Sequence, residues 1–121
     1  MFSNALLLNW LEKLTFEQRN RLVENQLDCP ANMLQAHAQI YKNGRKYISI
    51  AIGDGIRYFV RKLDGMIFAS ADYRTPNFHR SFGTLSDYND FEWGSYEAVA
   101  KPGTGWIMKP TRGPYLTAIK N

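Results

Sequence analysis

The segment Gln35–Tyr73 reads QAHAQIYKNGRKYISIAIGDGIRYFVRKLDGMIFASADY, and its periodicity decides the fold. Apolar residues alternate along it with a period of two, the signature of strands with one buried face. Asn43-Gly44, Asp54-Gly55 and Asp64-Gly65 interrupt the alternation, and such dipeptides close hairpins. A four-stranded antiparallel meander over residues 35–73 follows.

Parity assigns the two faces, because a one-residue slip in register exchanges them. Three-residue loops at Lys42-Asn43-Gly44 and Gly53-Asp54-Gly55, each with its last glycine left-handed, keep even-numbered residues together. That face holds Ala36, Ala38, Ile40, Ile48, Ile50, Ile52, Ile56, Tyr58 and Val60, with Lys42, Lys46 and Lys62 near the turns. The opposite, mixed face holds His37, Gln39, Tyr41, Arg45, Tyr47, Ser49, Ala51, Arg57, Phe59 and Arg61. At the third turn the expected loop is a two-residue Asp64-Gly65, which pairs Arg57 with Asp72 and Arg61 with Phe68 in favourable cross-strand contacts. A three-residue loop would instead bring Ile67, Ala69 and Tyr73 to the mixed face.

The aliphatic face needs a cover, and residues 1–34 supply one. Leu7, Leu11 and Leu14 follow helical spacing behind a cap at Ser3 or Asn4. Thr15 with Gln18 has the spacing of a capping box, which predicts a second helix carrying Leu22, Val23 and Leu27 before DCPAN (28–32) breaks the pattern. The expected fold is therefore α+β, one domain, with an N-terminal helical hairpin on an antiparallel meander. Residues 74–121 add a loop and C-terminal strands: a hairpin across Pro102–Gly105 with Trp106 and Met108 on one side, and a last strand in YLTAIKN (115–121). Closure of these strands into a small barrel is the variant of that architecture.

Composition narrows the function. At 121 residues the chain can bury a core without staples, and the single cysteine, Cys29, excludes an intrachain disulfide framework or zinc cluster. This fits a reducing, cytoplasmic setting. The start MFSNALLLNWLEKL lacks the basic n-region of a secretory leader, and no apolar run approaches a membrane span. The net charge of +4 is unevenly spread: residues 41–80 carry +5, residues 81–100 carry −4 and residues 101–121 carry +4. A basic block of this kind attracts phosphates or an acidic protein surface, unless the acidic segment folds onto it.

Catalytic and cofactor signals are poor. His37 and His79 are the only histidines, and their separation suggests no acid–base pair. DYNDFE (87–92) lacks the glycine and spacing of a calcium loop and reads as a solvated or cap-forming acidic turn. KPGTGWIMKP (101–110) lacks the Gly-Lys-Ser/Thr of a phosphate loop. The octamer GIRYFVRK (55–62) lacks both internal glycines of the RNA-recognition pattern. No cofactor or metal is expected.

The mixed face carries the functional expectation. Tyr41, Tyr47 and Phe59 offer rings for base stacking and Arg45, Arg57 and Arg61 offer guanidinium groups for phosphates. The loop DYRTPNFHRSF (72–82) adds Arg74, His79 and Arg80. These residues suit a non-enzymatic accessory domain for single-stranded nucleic acid. The competing possibility is a cover: Phe78, Phe82, Phe91, Trp93 and Trp106 would fill that face while the segment 87–97 neutralises its arginines. The alternative function is a protein-interaction or assembly factor of a small viral or mobile-element type, acting by docking or as a homo-oligomer.

Overall fold

A computed structural model describes residues 2–111, 113 and 115–120. Met1 and Asn121, which the expected helical and C-terminal segments include, lie outside the described residues. The architecture is α+β: helices α1 (Asn4–Glu24) and α2 (Pro30–Gln35) precede a five-stranded antiparallel sheet and two small two-stranded sheets.

Ser3 caps α1 by accepting from Leu6 N. The helix then runs through Thr15 without interruption, so the expected second cap is not made. Nothing between Leu14 and Gln18 breaks a helix, and the buried stripe Leu7, Trp10, Leu11, Leu14 and Gln18 continues across the position. The Thr15 hydroxyl instead accepts from Ala38 N at 2.9 Å, fixing the start of the sheet against the helix. The break between the two helices falls at residues 25–29, ahead of Pro30 at the start of α2.

The sheet is a pure meander, β1 (Ala38–Asn43), β2 (Tyr47–Ile52), β3 (Gly55–Arg61), β4 (Met66–Ser70) and β5 (Pro76–Thr84), in that spatial order. Ile48, Ile50, Ile52, Tyr58 and Val60 are buried on one face, as their parity predicts. The turns differ from expectation in detail. Gly53, not Gly55, takes the left-handed conformation (φ 62°), and a bulge at Arg57 restores the expected Ile50–Tyr58 and Ile48–Val60 pairs. A second bulge at Tyr41 brings Lys42 opposite Ser49. Gly44 is not left-handed; a Cβ there would lie 2.7 Å from Tyr47 O, so the tight turn itself excludes larger residues.

The third turn is longer than either loop considered. Phe59 pairs with Phe68 and Val60 with Ile67, two residues away from the Arg61–Phe68 pairing. The face assignment is unaffected, because the shift is even. Arg57 has no Asp72 partner, and Arg61 binds Asp64 within the turn.

Residues expected as an irregular loop form β5. Its register against β4 jumps between Asn77 and Ser81, leaving Phe78, His79 and Arg80 opposite no residue of β4. A 3-10 helix (Leu85–Asp90) follows, with a capping box made by Thr84 and Asp87, which accounts for the acidic turn. Val99–Ala100 (β7) pairs with Phe91–Glu92 (β6), while Trp106–Pro110 (β8) pairs with Leu116–Lys120 (β9). The hairpin expected across Pro102–Gly105 is thus replaced by one from β8 to β9. The described strands form no closed barrel.

Between α1 and the sheet lies an aromatic core. Trp10, Tyr58, Phe82, Phe91 and Trp93 are fully buried, and Trp10 meets Tyr58 and Trp93 edge-on at 5.7 and 5.3 Å. Edge-to-face pairs of this kind add about 0.5–1.5 kcal/mol each beyond area burial. The Gln18 amide donates to Trp93 O and Ser95 O at 2.6 and 2.9 Å, tying the helix to the segment after β6.

Candidate nucleic-acid interface

On the face of the sheet turned away from α1 the centre is buried, with Ser49, Ala51 and Phe59 each 4% and Phe68 5% exposed, and only the rim is open to solvent. Of the five aromatic residues considered as its cover, only Phe78 reaches it; Phe82, Phe91 and Trp93 join the helix-side core and Trp106 packs against that core. The jump in β5 explains the exception. It frees the Phe78 ring to lean over the face onto Phe68 (5.2 Å) and Tyr47 (6.0 Å).

Beside this aromatic floor is a cavity of about 700 Å³. Tyr41, Lys42, Arg45, Lys46, Tyr73 and Arg74 form its rim; Tyr47, Ser49 and Phe59 form its floor. Phe59 is 4% exposed, so its ring is a base plate rather than a free stacking surface, whereas Tyr41 is 61% and Tyr73 59% exposed. The Arg74 guanidinium lies 5.1 Å from the Tyr73 ring. The Asp72 carboxylate accepts from Arg74 N and Thr75 N (2.7 and 2.9 Å), shaping the loop that carries Arg74. These bonds hold the Asp72 carboxyl below its ordinary range.

The rim is cationic, with the Asp72 carboxylate beside it stabilised in part by the charge of Arg74. Among the described residues no carboxylate lies within ion-pair distance of Lys42, Arg45, Lys46 or Arg74, and none lines the cavity. The acidic segment acts elsewhere: Asp87 caps the 3-10 helix, Asp90 binds Lys120 and Trp106, and Glu97 binds Arg80.

Of the nine residues singled out from the sequence, five converge here: Tyr41, Arg45, Tyr47, Phe59 and Arg74. Arg61 flanks them, its guanidinium 5.2 Å from the Phe68 ring and doubly hydrogen-bonded to Asp64 at 3.0 and 2.6 Å. Arg61 holds the Asp64 carboxyl below its ordinary value, and Asp64 in turn raises the guanidinium.

Arg57, His79 and Arg80 lie elsewhere. The bulge takes Arg57 off the mixed face; it donates to Tyr96 O at 2.7 Å, stacks on the Tyr96 ring, and lines a cleft with Gln18 and Arg21 of α1. His79 stacks on Tyr115, and Arg80 is held between Tyr115 and Glu97.

Lys42, Lys46 and Tyr73 were not among the expected residues. The sequence does carry a signal for the lysines. Cations on an otherwise aliphatic face are a reason to place a bulge before them, and the bulge at Tyr41 moves Lys42 across.

Among the described residues there is no cluster of three or more metal-ligating side chains, and no helix is long and apolar enough to cross a membrane. Compared with protein-family models, curated proteins and solved structures, the chain matches none.

Proposed function

We propose that the chain is a non-enzymatic accessory domain that binds single-stranded nucleic acid in the tyrosine-rimmed cavity. One observation carries this reading. Four cations and two exposed tyrosines surround one concavity that no carboxylate lines.

Such a rim suits a phosphodiester chain with unpaired bases. Lys42, Arg45, Lys46 and Arg74 meet phosphates, and Tyr41 and Tyr73 each offer a face to a base, a contact contributing about 1–3 kcal/mol. The aromatic rim also favours a nucleic acid over an acidic protein surface, whose carboxylates would use the cations and leave the rings idle. Fluorescence anisotropy with short single-stranded DNA and RNA at two salt concentrations tests the proposal. With four phosphates neutralised, log K should fall with log salt at a slope of about −3. Absence of binding at low salt would overturn it.

A further inference from the structure

We propose that a second concavity, on the opposite flank of β1, is where two copies of this chain meet, outer helix face against outer helix face. The cavity of about 810 Å³ runs between α1 and the β1 edge of the sheet. Leu8, Phe16 and Val23 of α1 and Ile40 of β1 line it, and all four are exposed, Phe16 to 59%. Apolar side chains scattered singly need no explanation, but four exposed ones lining a single groove mark a contact surface.

The arrangement of charge selects the occupant. Glu12 and Arg19 line the same groove, two turns apart on the same stripe of α1. Among the described residues neither belongs to an ion pair. The Arg19 Nε donates to Met33 O at 3.1 Å, which steadies the guanidinium and leaves its outer nitrogens for a partner.

Two α1 helices crossing antiparallel about a two-fold axis between Thr15 and Phe16 set Glu12 of each copy against Arg19 of the other. The same operation sets Leu8 against Val23 and lets each Phe16 enter the facing groove. Every pairing then occurs twice, as an isologous interface requires. The stripe from Leu8 to Val23 is about 22 Å long, enough for several turns of contact.

Strand addition at β1 is a poorer use of this edge. The bulge at Tyr41 and the exposed Lys42 beside it are features that protect an edge from pairing. The occupant is therefore a helix face, and the groove, bearing one charge of each sign, differs from the uniformly cationic cavity.

Sedimentation equilibrium over a concentration series tests the inference. Wild type should dimerise, and Phe16→Glu should weaken the dimer by about a hundredfold or more, since each interface loses a hot-spot ring twice. Glu12→Arg and Arg19→Glu should each abolish self-association, because like charges then meet, and mixing the two variants should restore a heterodimer. Far-UV circular dichroism checks that each variant is folded. A wild type that stays monomeric throughout would overturn the proposal. So would a dimer indifferent to Phe16→Glu, or single-charge variants that fail to recombine while folded.

Discussion

On one side of the sheet Ile50, Tyr58 and Val60 lie sealed beneath α1; on the other, Tyr41, Arg45 and Arg74 stand in solvent around a cavity. The same strands supply both sides. The helix side is crowded with aromatic residues from every part of the chain, whereas of Phe78, Phe82, Phe91, Trp93 and Trp106 the other side receives only Phe78. The difference shows where the fold invests its burial. Rings gathered on one side free the other to keep cations that would be costly to bury.

Substitutions should separate the two sides, beginning with the largest effect. Ile50→Asp places a charge where exposure is 0% and should cost more than about 4 kcal/mol, most of a typical domain's stability. Arg45→Asp, on the exposed rim, should change stability by less than about 0.5 kcal/mol. Thermal unfolding of the two variants side by side checks the contrast.

In binding the order reverses. Arg45→Glu combined with Arg74→Glu should weaken oligonucleotide affinity at low salt by about tenfold or more and flatten the salt dependence. Tyr41→Ala should cost about 1–3 kcal/mol of affinity with a nearly unchanged salt slope, which separates stacking from charge. Arg57→Ala should leave affinity unaltered, because the bulge turns that side chain toward Tyr96 and α1. A loss equal to that of the Arg45/Arg74 pair would remove the distinction between the two sides.

A smaller stability effect than that of Ile50→Asp concerns the turn. Arg61 holds the Asp64 carboxyl below its ordinary value of 3.8, so ionised Asp64 favours the folded state. That contribution is present above the unfolded value and is lost as pH falls through the lower, folded one. The pair is about a third exposed, so Asp64→Asn should cost no more than about 1 kcal/mol at neutral pH. The gap to wild type should narrow as the pH falls below the ordinary value of 3.8; unfolding midpoints at several pH values measure it.

The meander and its two faces are legible in the sequence because the period of two survives every turn error of even length. Phe68 and Ile67 keep their faces even though their partners differ from those expected. Thr15 was misleading because its hydroxyl serves equally as a cap or as a tertiary acceptor, and only the position of Ala38 decides between them. Arg57 and Lys42 changed faces at single-residue bulges, which alternation alone does not reveal. The destination of the C-terminal aromatics depended on contacts remote in sequence, such as Gln18 with Trp93 and Ser95.

Amide chemical-shift mapping with a short single-stranded oligonucleotide tests the central claim most directly. Shifts concentrated at Tyr41, Lys42, Arg45, Tyr47 and Arg74, with Leu8, Phe16 and Val23 unmoved, are the result the account predicts. Shifts centred on α1, or none at low salt, would contradict it.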